Sequence, residues 1–91
     1  MSYNGWRNYS TWCVKLWLDN EPYTYERALD VARAVREDGG DALAVGDALK
    51  VELPEMFELP VAGLAGDLVG AALSEVDWAE IGAAYLEEVS E

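Results

Sequence analysis

An apolar stripe at helical spacing near the end of the chain is the feature that most constrains the fold. Between residues 77 and 89, one helix face repeats at i, i+3, i+4, i+7, i+8 and i+11, as Trp78, Ile81, Gly82, Tyr85, Leu86 and Val89. Asp77 followed three residues later by Glu80 is typical of a helix start. Because a helix with one apolar face needs a second apolar surface, the pattern predicts a helix over 77–89 that packs on a core.

Two further helices are predicted in the first half of the chain. Residues 10 to 20 form the first, and Ser10 or Thr11 is its expected N-cap, because a hydroxyl there accepts a hydrogen bond from a free N–H of the first turn. The second spans 22–38 and begins with a proline, which suits a first helical position. A glycine pair follows it, and glycine tolerates the left-handed conformation in which many helices end.

The remaining helices are predicted from breakers and caps. Asp41 is expected to cap a third helix that ends at about Leu53, because Pro54 follows. A fourth helix is predicted over 61–75, and the three glycines in it indicate close approach by a neighbouring backbone: Gly63, Gly66 and Gly70. No strand-like alternation, repeat or linker appears. The expected fold is therefore all-α, a single compact domain over residues 1–91 with four to five short helices.

The first predicted helix is apolar on nearly every face. In its segment WCVKLWL, residues 12–18, Lys15 alone interrupts the apolar residues. A helix that is apolar on most sides is usually a buried one, so Trp12, Trp17 and, in the last helix, Trp78 are expected in the core. Cys13 lies between bulky apolar residues with no histidine in the chain to deprotonate it, and is therefore expected to be buried and unreactive.

Charge is distributed unevenly along the chain. The net charge is −12, and residues 51–91 hold ten acids and no base. Such a field repels nucleic acid phosphates and anionic membrane surfaces and attracts basic surfaces, so the expected partner is a protein and direct nucleic acid binding is not expected. The chain has no apolar run of about 18 residues. The first residues lack the layout of a signal peptide, so a cytoplasmic location is expected.

The composition also argues against an enzyme. There is no histidine, the commonest general base and metal ligand, and one cysteine excludes an internal disulfide. No acidic segment has the dense arrangement of a calcium loop. We therefore expect no catalytic residue, no metal site and no cofactor.

The candidate protein-binding residues are acids of the C-terminal half and two apolar neighbours. Glu52, Glu55 and Glu58 receive the most weight, because Met56 and Phe57 beside them provide the apolar anchor that an interface usually needs. The full candidate set is Glu52, Glu55, Met56, Phe57, Glu58, Glu75, Glu87 and Glu88.

The two ends of the chain resemble a known group of small proteins. YNGWRNYSTWCVKLWLDNE, residues 3–21, is similar to the Y-x-G-W-x-N-Y-E-T-W-x-V-x-L-W-x-x-N pattern that opens a family of small, uncharacterised, phage-associated proteins, and GDLVGAALSEVDWAEI, residues 66–81, resembles that family's tail. The chain departs from the pattern at Ser10, where the family usually has Glu, and at Cys13, often Asn. The resemblance implies a phage accessory protein and says little about its mechanism.

Two functions remain open on the sequence. The first is an acidic inhibitor that binds the basic surface of a host nucleic-acid-processing or defence protein, such as a restriction enzyme, a CRISPR effector or a repair factor, by mimicking nucleic acid charge. The alternative is a non-inhibitory accessory or regulatory protein whose charge reflects solubility or a halophilic source. The composition of unrelated proteins from the same genome discriminates between them.

Overall fold

Five α-helices account for most of the chain. The computed structural model describes residues 2–90, and its helices are α1 (Tyr9–Asn20), α2 (Pro22–Glu37), α3 (Ala42–Met56), α4 (Gly63–Ser74) and α5 (Trp78–Val89). Within those residues the one β-type pairing is an isolated bridge between Tyr3 and Trp6. The prediction of an all-α fold is confirmed.

The core is built around α5, which packs on α1, α2 and α3. The predicted stripe of α5 supplies its buried face, where Ile81 and Tyr85 have no exposed surface. Val45 and Leu49 of α3 are equally buried opposite them, and α2 adds smaller side chains such as Ala28. The helix over 77–89 therefore covers a helical core, as its periodicity indicates.

The tightest helix crossing lies between α3 and α5, where each helix has a glycine. A Cβ added to Gly46 would overlap the carbonyl of Trp78, and one added to Gly82 would overlap the carbonyl of Ala42 and lie 2.7 Å from the Gly46 nitrogen. The prediction that the α4 glycines mark a close approach by a neighbouring helix is wrong. Among them, a Cβ at Gly63 or Gly70 would meet open space.

The remaining α4 glycine, Gly66, has no space for a side chain because of its own neighbours in the chain. A Cβ added to Gly66 would overlap the backbone of Val61, in the connection that leads into α4. Gly63 opens α4 with φ +74°, a conformation that glycine adopts without strain. These glycines therefore shape the entry into α4.

The N-cap of α1 lies two residues before Ser10 and three before Thr11, the two residues expected to cap this helix. Asn8 is the N-cap, and its Oδ1 accepts from the Thr11 backbone N–H at 2.9 Å and from the Thr11 hydroxyl at 2.7 Å. The buried Thr11 hydroxyl in turn accepts from the Asp77 N–H at 2.9 Å. Ser10 and Thr11 are therefore not the cap, because Thr11 joins the starts of α1 and α5.

Replacing this cap gives the first prediction. Asn8→Ala removes the cap of α1 and a 2.7 Å hydrogen bond from Asn8 Nδ2 to the Glu75 carbonyl, so we expect it to lower the free energy of unfolding by about 1–2 kcal/mol. Ser10→Ala is the matched control and is expected to change it by less than about 0.5 kcal/mol. Urea unfolding measures both, and equal losses from the two variants would contradict the assignment.

The other helix ends follow the sequence signals to within about two residues, with one exception. Asp41 and Asp77 cap α3 and α5, and α2 ends at the predicted glycine pair. The exception is α3, which continues through Pro54 to Met56. Since Pro54 lies in the last turn, the helix loses one backbone hydrogen bond at a point where it is about to end.

Candidate functional site

Helix α1 turns a different side to the core than the prediction of a buried Trp17 requires. Lys15, its single charge among apolar neighbours, points into the protein: its side chain is 13% exposed, forms a 2.5 Å ion pair with Asp19 and lies 4.6 Å from the centre of the Tyr85 ring. Trp17 points outward and is 55% exposed. The ammonium is tolerated there because a carboxylate and an aromatic face replace part of its hydration. The placement of Trp17 in the core is therefore wrong.

The three tryptophans expected in the core have three different environments. Trp78 is 7% exposed and its indole N–H donates to the Leu73 carbonyl at 3.3 Å, so its core prediction is confirmed. Trp12 is half-buried and stacks beside Tyr3, with ring centres 4.9 Å apart. The half-buried Trp12 and the exposed Trp17 show that the aromatic side chains of α1 lie partly against the protein and partly in solvent.

A hydrogen bond fixes α5 to the end of α1. The buried Tyr85 hydroxyl donates to Asp19 Oδ1 at 2.5 Å. Burial, and secondly this bond to a carboxylate, raise the pKa of the Tyr85 hydroxyl far above its usual value, so that it stays protonated as a donor. Lys15, Asp19 and Tyr85 thus form one satisfied polar group on the inner side of α1, and this group holds Trp17 on the outer side.

An apolar groove lies on that outer side, between α1, α4 and the end of α3. It consists of two adjoining depressions of about 320 and 250 Å³. We call it the α1–α4 groove and define it by the residues that line it, all apolar except Ser10: Tyr9, Ser10, Cys13, Val14, Trp17, Leu53, Phe57, Leu59, Val69, Ala72, Leu73 and Val76. No charged residue lines either depression. The groove is therefore an apolar surface open to solvent.

Helix α4 forms one wall of the groove and leaves its other side uncovered. None of its residues is buried, Leu64 is 76% exposed, and Val61 and Leu68 beside it are exposed as well. Val69 and Leu73 face the groove. A helix this apolar is normally buried, so the exposed surface of α4 indicates a binding face.

The single cysteine belongs to the groove. Cys13 is half-buried and lines both depressions, so the prediction of a fully buried thiol is wrong. Its surroundings in the groove are apolar side chains, which fits the expected packing role. The thiol is a natural reporter for this surface because the chain has no other cysteine.

The structure separates the predicted acids into two groups. Glu52 is engaged by Arg27 through two hydrogen bonds, of 2.8 and 3.0 Å, and this bonding raises the pKa of the guanidinium. Glu88 accepts a hydrogen bond from the Tyr25 hydroxyl, which raises the pKa of that hydroxyl. These two acids therefore join α3 and α5 to α2, and Glu52 is engaged within the protein by Arg27.

The second group points to solvent without a partner in the described part of the chain. Its side chains are exposed and form neither a hydrogen bond nor an ion pair within residues 2–90: Glu55, Glu58, Glu75 and Glu87. Glu55 and Glu58 lie on either side of Phe57, which lines the groove. Glu75 follows Leu73 at the end of α4.

Of the two predicted apolar contacts, Phe57 lines the groove. Met56 and Phe57 also line a neighbouring depression of about 400 Å³ together with Glu21 and Tyr23. Glu87 lies in the last turn of α5 and does not line the groove. Phe57 therefore lines the groove, Glu55 and Glu58 are near it in the chain without lining the groove, and Glu87 lies elsewhere.

Sequence reasoning missed most of the groove, including Trp17, Leu59, Val69 and Leu73. The signal for α4 was present, because residues 61–73 contain a single charged residue, Asp67, and so have no polar face to turn to solvent. Trp17 had no such signal. Its exposure follows from Lys15 turning inward.

Two further features of the structure concern metal ligands and membrane-spanning helices. Within 2–90, no three cysteine or acidic side chains converge in a way that would hold a metal ion. The helices in that range are too short or too polar to cross a membrane.

Comparison with known proteins identifies a family. Neither the curated proteins nor the solved structures include a match to the chain. A family model described as "Family of unknown function (DUF7249)" matches residues 1–60, which include α1, α2, α3 and the start of the connection to α4. The stretch 66–81 lies outside the match. The chain therefore belongs to the DUF7249 family, whose function is unknown.

Proposed function

We propose that this protein is a small acidic accessory protein, without enzymatic activity, that binds the basic surface of a nucleic-acid-binding protein and inhibits it by competing with nucleic acid. The observation that carries the proposal is the excess of carboxylates that lack a counterion. Residues 51–91 contain ten acids and no base. Among those described, Glu52 and Asp77 form ion pairs, and the Asp77 pair with Arg7 is long, at 3.8 Å.

An uncompensated acidic surface of this kind attracts basic grooves, which normally bind the polyanion of a nucleic acid. Double-stranded DNA presents one charge per about 1.7 Å of its axis, and proteins that bind it present matching arginine and lysine side chains. Exposed glutamates such as Glu55, Glu58 and Glu75 offer the same type of charge on a folded surface. Association with such a groove is accelerated by long-range attraction and weakens as salt screens the charges.

The resemblance of residues 3–21 to phage-associated proteins suggests the setting of this binding. A phage accessory protein acts in the host cytoplasm, where basic nucleic-acid-processing proteins, restriction enzymes, CRISPR effectors and repair factors are available targets. By binding such a target through its acidic surface, the protein would inhibit host defence or repair.

Capture followed by competition tests the proposal. The immobilised protein is exposed to host lysate at low salt, and bound proteins are identified after elution with rising salt. Each recovered protein is then loaded with its own nucleic acid and titrated with the acidic protein. We expect a basic nucleic-acid-binding protein to be recovered and its nucleic acid to be displaced. Recovery only of proteins that keep their nucleic acid bound at saturating acidic protein would overturn the proposal.

A charge variant gives the second prediction. Replacing Glu55, Glu58 and Glu75 together with Gln is expected to slow association with the recovered partner roughly threefold to tenfold and to flatten its salt dependence. The matched control neutralises three exposed acids at other positions with the same change in net charge: Glu26→Gln, Glu37→Gln and Asp47→Asn. Stopped-flow kinetics at two salt concentrations measures both. Equal slowing by the two triple variants would show that net charge alone drives association.

A further inference from the structure

We infer that the α1–α4 groove is the docking site for an amphipathic helix of the partner, one with an apolar stripe and lysine or arginine residues along its edges. The inference rests on the proposed function and deepens it, because it names the element of the basic partner that this protein holds. Three observations carry it: the shape and composition of the groove, the sign of the charges around it, and the outward position of Trp17.

The groove has the composition of a helix-binding surface. Its lining is apolar, with Trp17, Phe57 and Leu73 around the larger depression of about 320 Å³, and it continues into the second depression through Cys13 and Val14. Trp17 is 55% exposed, so it is available to a partner. Tryptophans at the centre of apolar grooves are frequent hot spots, and grooves of this kind receive helices through side chains at i, i+3, i+4 and i+7.

The charges near the groove fix the chemistry of its occupant. The α3 and α4 walls of the groove come from residues 53–76, and every charged residue in this segment is an acid: Glu55, Glu58, Asp67 and Glu75. The nearby base on α1, Lys15, is turned towards Asp19 and Tyr85 on the other side of that helix. The segment that supplies these two walls therefore attracts the basic edges of an apolar helix and contains no base to repel them.

The same charges disfavour a second copy of this chain as the occupant. Each copy has a net charge of −12, and pairing two grooves would bring together two 53–76 segments that contain acids and no base. Like charges that face one another across an interface oppose association. Complementary charge therefore selects a basic partner over a homodimer.

A defined peptide tests the inference on the full-length protein. The probe is a peptide of about 18 residues, or five helical turns, made of leucine and lysine with leucine at i, i+3, i+4 and i+7. Its control has the same composition in an order that gives no apolar stripe. Calorimetry measures binding, and the rate at which a maleimide labels Cys13, the single thiol and a groove residue, reports where the peptide binds.

Two matched variants locate the contact. We expect the amphipathic peptide to bind, to slow labelling of Cys13, and to bind roughly tenfold or more weakly to Trp17→Gln. Leu43→Gln removes a side chain that is 57% exposed, close to the exposure of Trp17, but does not line the groove, and is expected to change affinity less than about twofold. Thermal melts establish that both variants are folded.

Several results would overturn the inference. These are equal binding of the two peptides, unchanged labelling of Cys13 at saturating peptide, equal weakening by both variants, or a protein dimer in sedimentation that Trp17→Gln dissociates. If any of these occurs while the acidic protein still displaces nucleic acid from the recovered partner, the groove inference fails and the proposed function stands. Peptide binding with protection of Cys13, but no displacement of nucleic acid, supports the groove and overturns the proposed function.

Discussion

Gly82→Ala is expected to destabilise the protein by about 3 kcal/mol or more, because the added methyl group has no space at the crossing of α3 and α5. A Cβ at Gly82 would lie closer than 3.0 Å to backbone atoms of Ala42 and Gly46, and backbone cannot move aside as a flexible side chain does. Relief requires the two central helices to separate, which loosens the contacts of Ile81 and Tyr85. Urea unfolding followed by circular dichroism measures the loss.

The matched control makes the same substitution in α4. A Cβ at Gly70 meets open space, so Gly70→Ala is expected to stabilise the protein by up to about 1 kcal/mol through helix propensity alone. The two substitutions should therefore change the free energy of unfolding in opposite directions. A Gly82→Ala protein as stable as the wild type would mean that α3 and α5 do not cross at this glycine.

The second large effect is expected from Trp78→Ala, with a loss of about 3–5 kcal/mol, because a buried tryptophan is replaced by a cavity. Trp78 is 7% exposed and its indole N–H is bonded within the protein. Trp17→Ala is the matched control, since it removes the same side chain from a position that is 55% exposed, and is expected to cost about 1 kcal/mol or less.

Thermal and urea unfolding of both variants compares the two sites directly. Losses of similar size would place Trp17 in the core, as the sequence alone suggested, and would remove the outward face of α1 on which the groove depends. A small loss at Trp17 together with weaker peptide binding would instead show that this tryptophan serves binding more than folding.

Local sequence signals determined the helices and most of their ends. Asp41, Asp77 and the glycine pair after α2 act through hydrogen bonds and backbone conformations within a few residues of themselves, so they are readable without a structure. The stripe of α5 was equally readable, because a helix with one apolar face has a single way to be buried. The all-α fold follows from these signals.

Tertiary structure decided everything that depends on residues distant in the chain. α1 is apolar around most of its circumference, so periodicity does not say which side faces inward; the bonds of Asp19 to Lys15 and Tyr85 decide it. Likewise, Arg27 pairs with Glu52 from a distant part of the chain, whereas the candidate acids Glu55 and Glu58 have no ion-pair partner among residues 2–90. The same limit applies to glycines: Gly46 and Gly82 mark the close crossing only because α3 and α5 meet there. The sequence limits which contacts each residue can form, and the packing of helices that are distant in the chain decides which of those contacts are made.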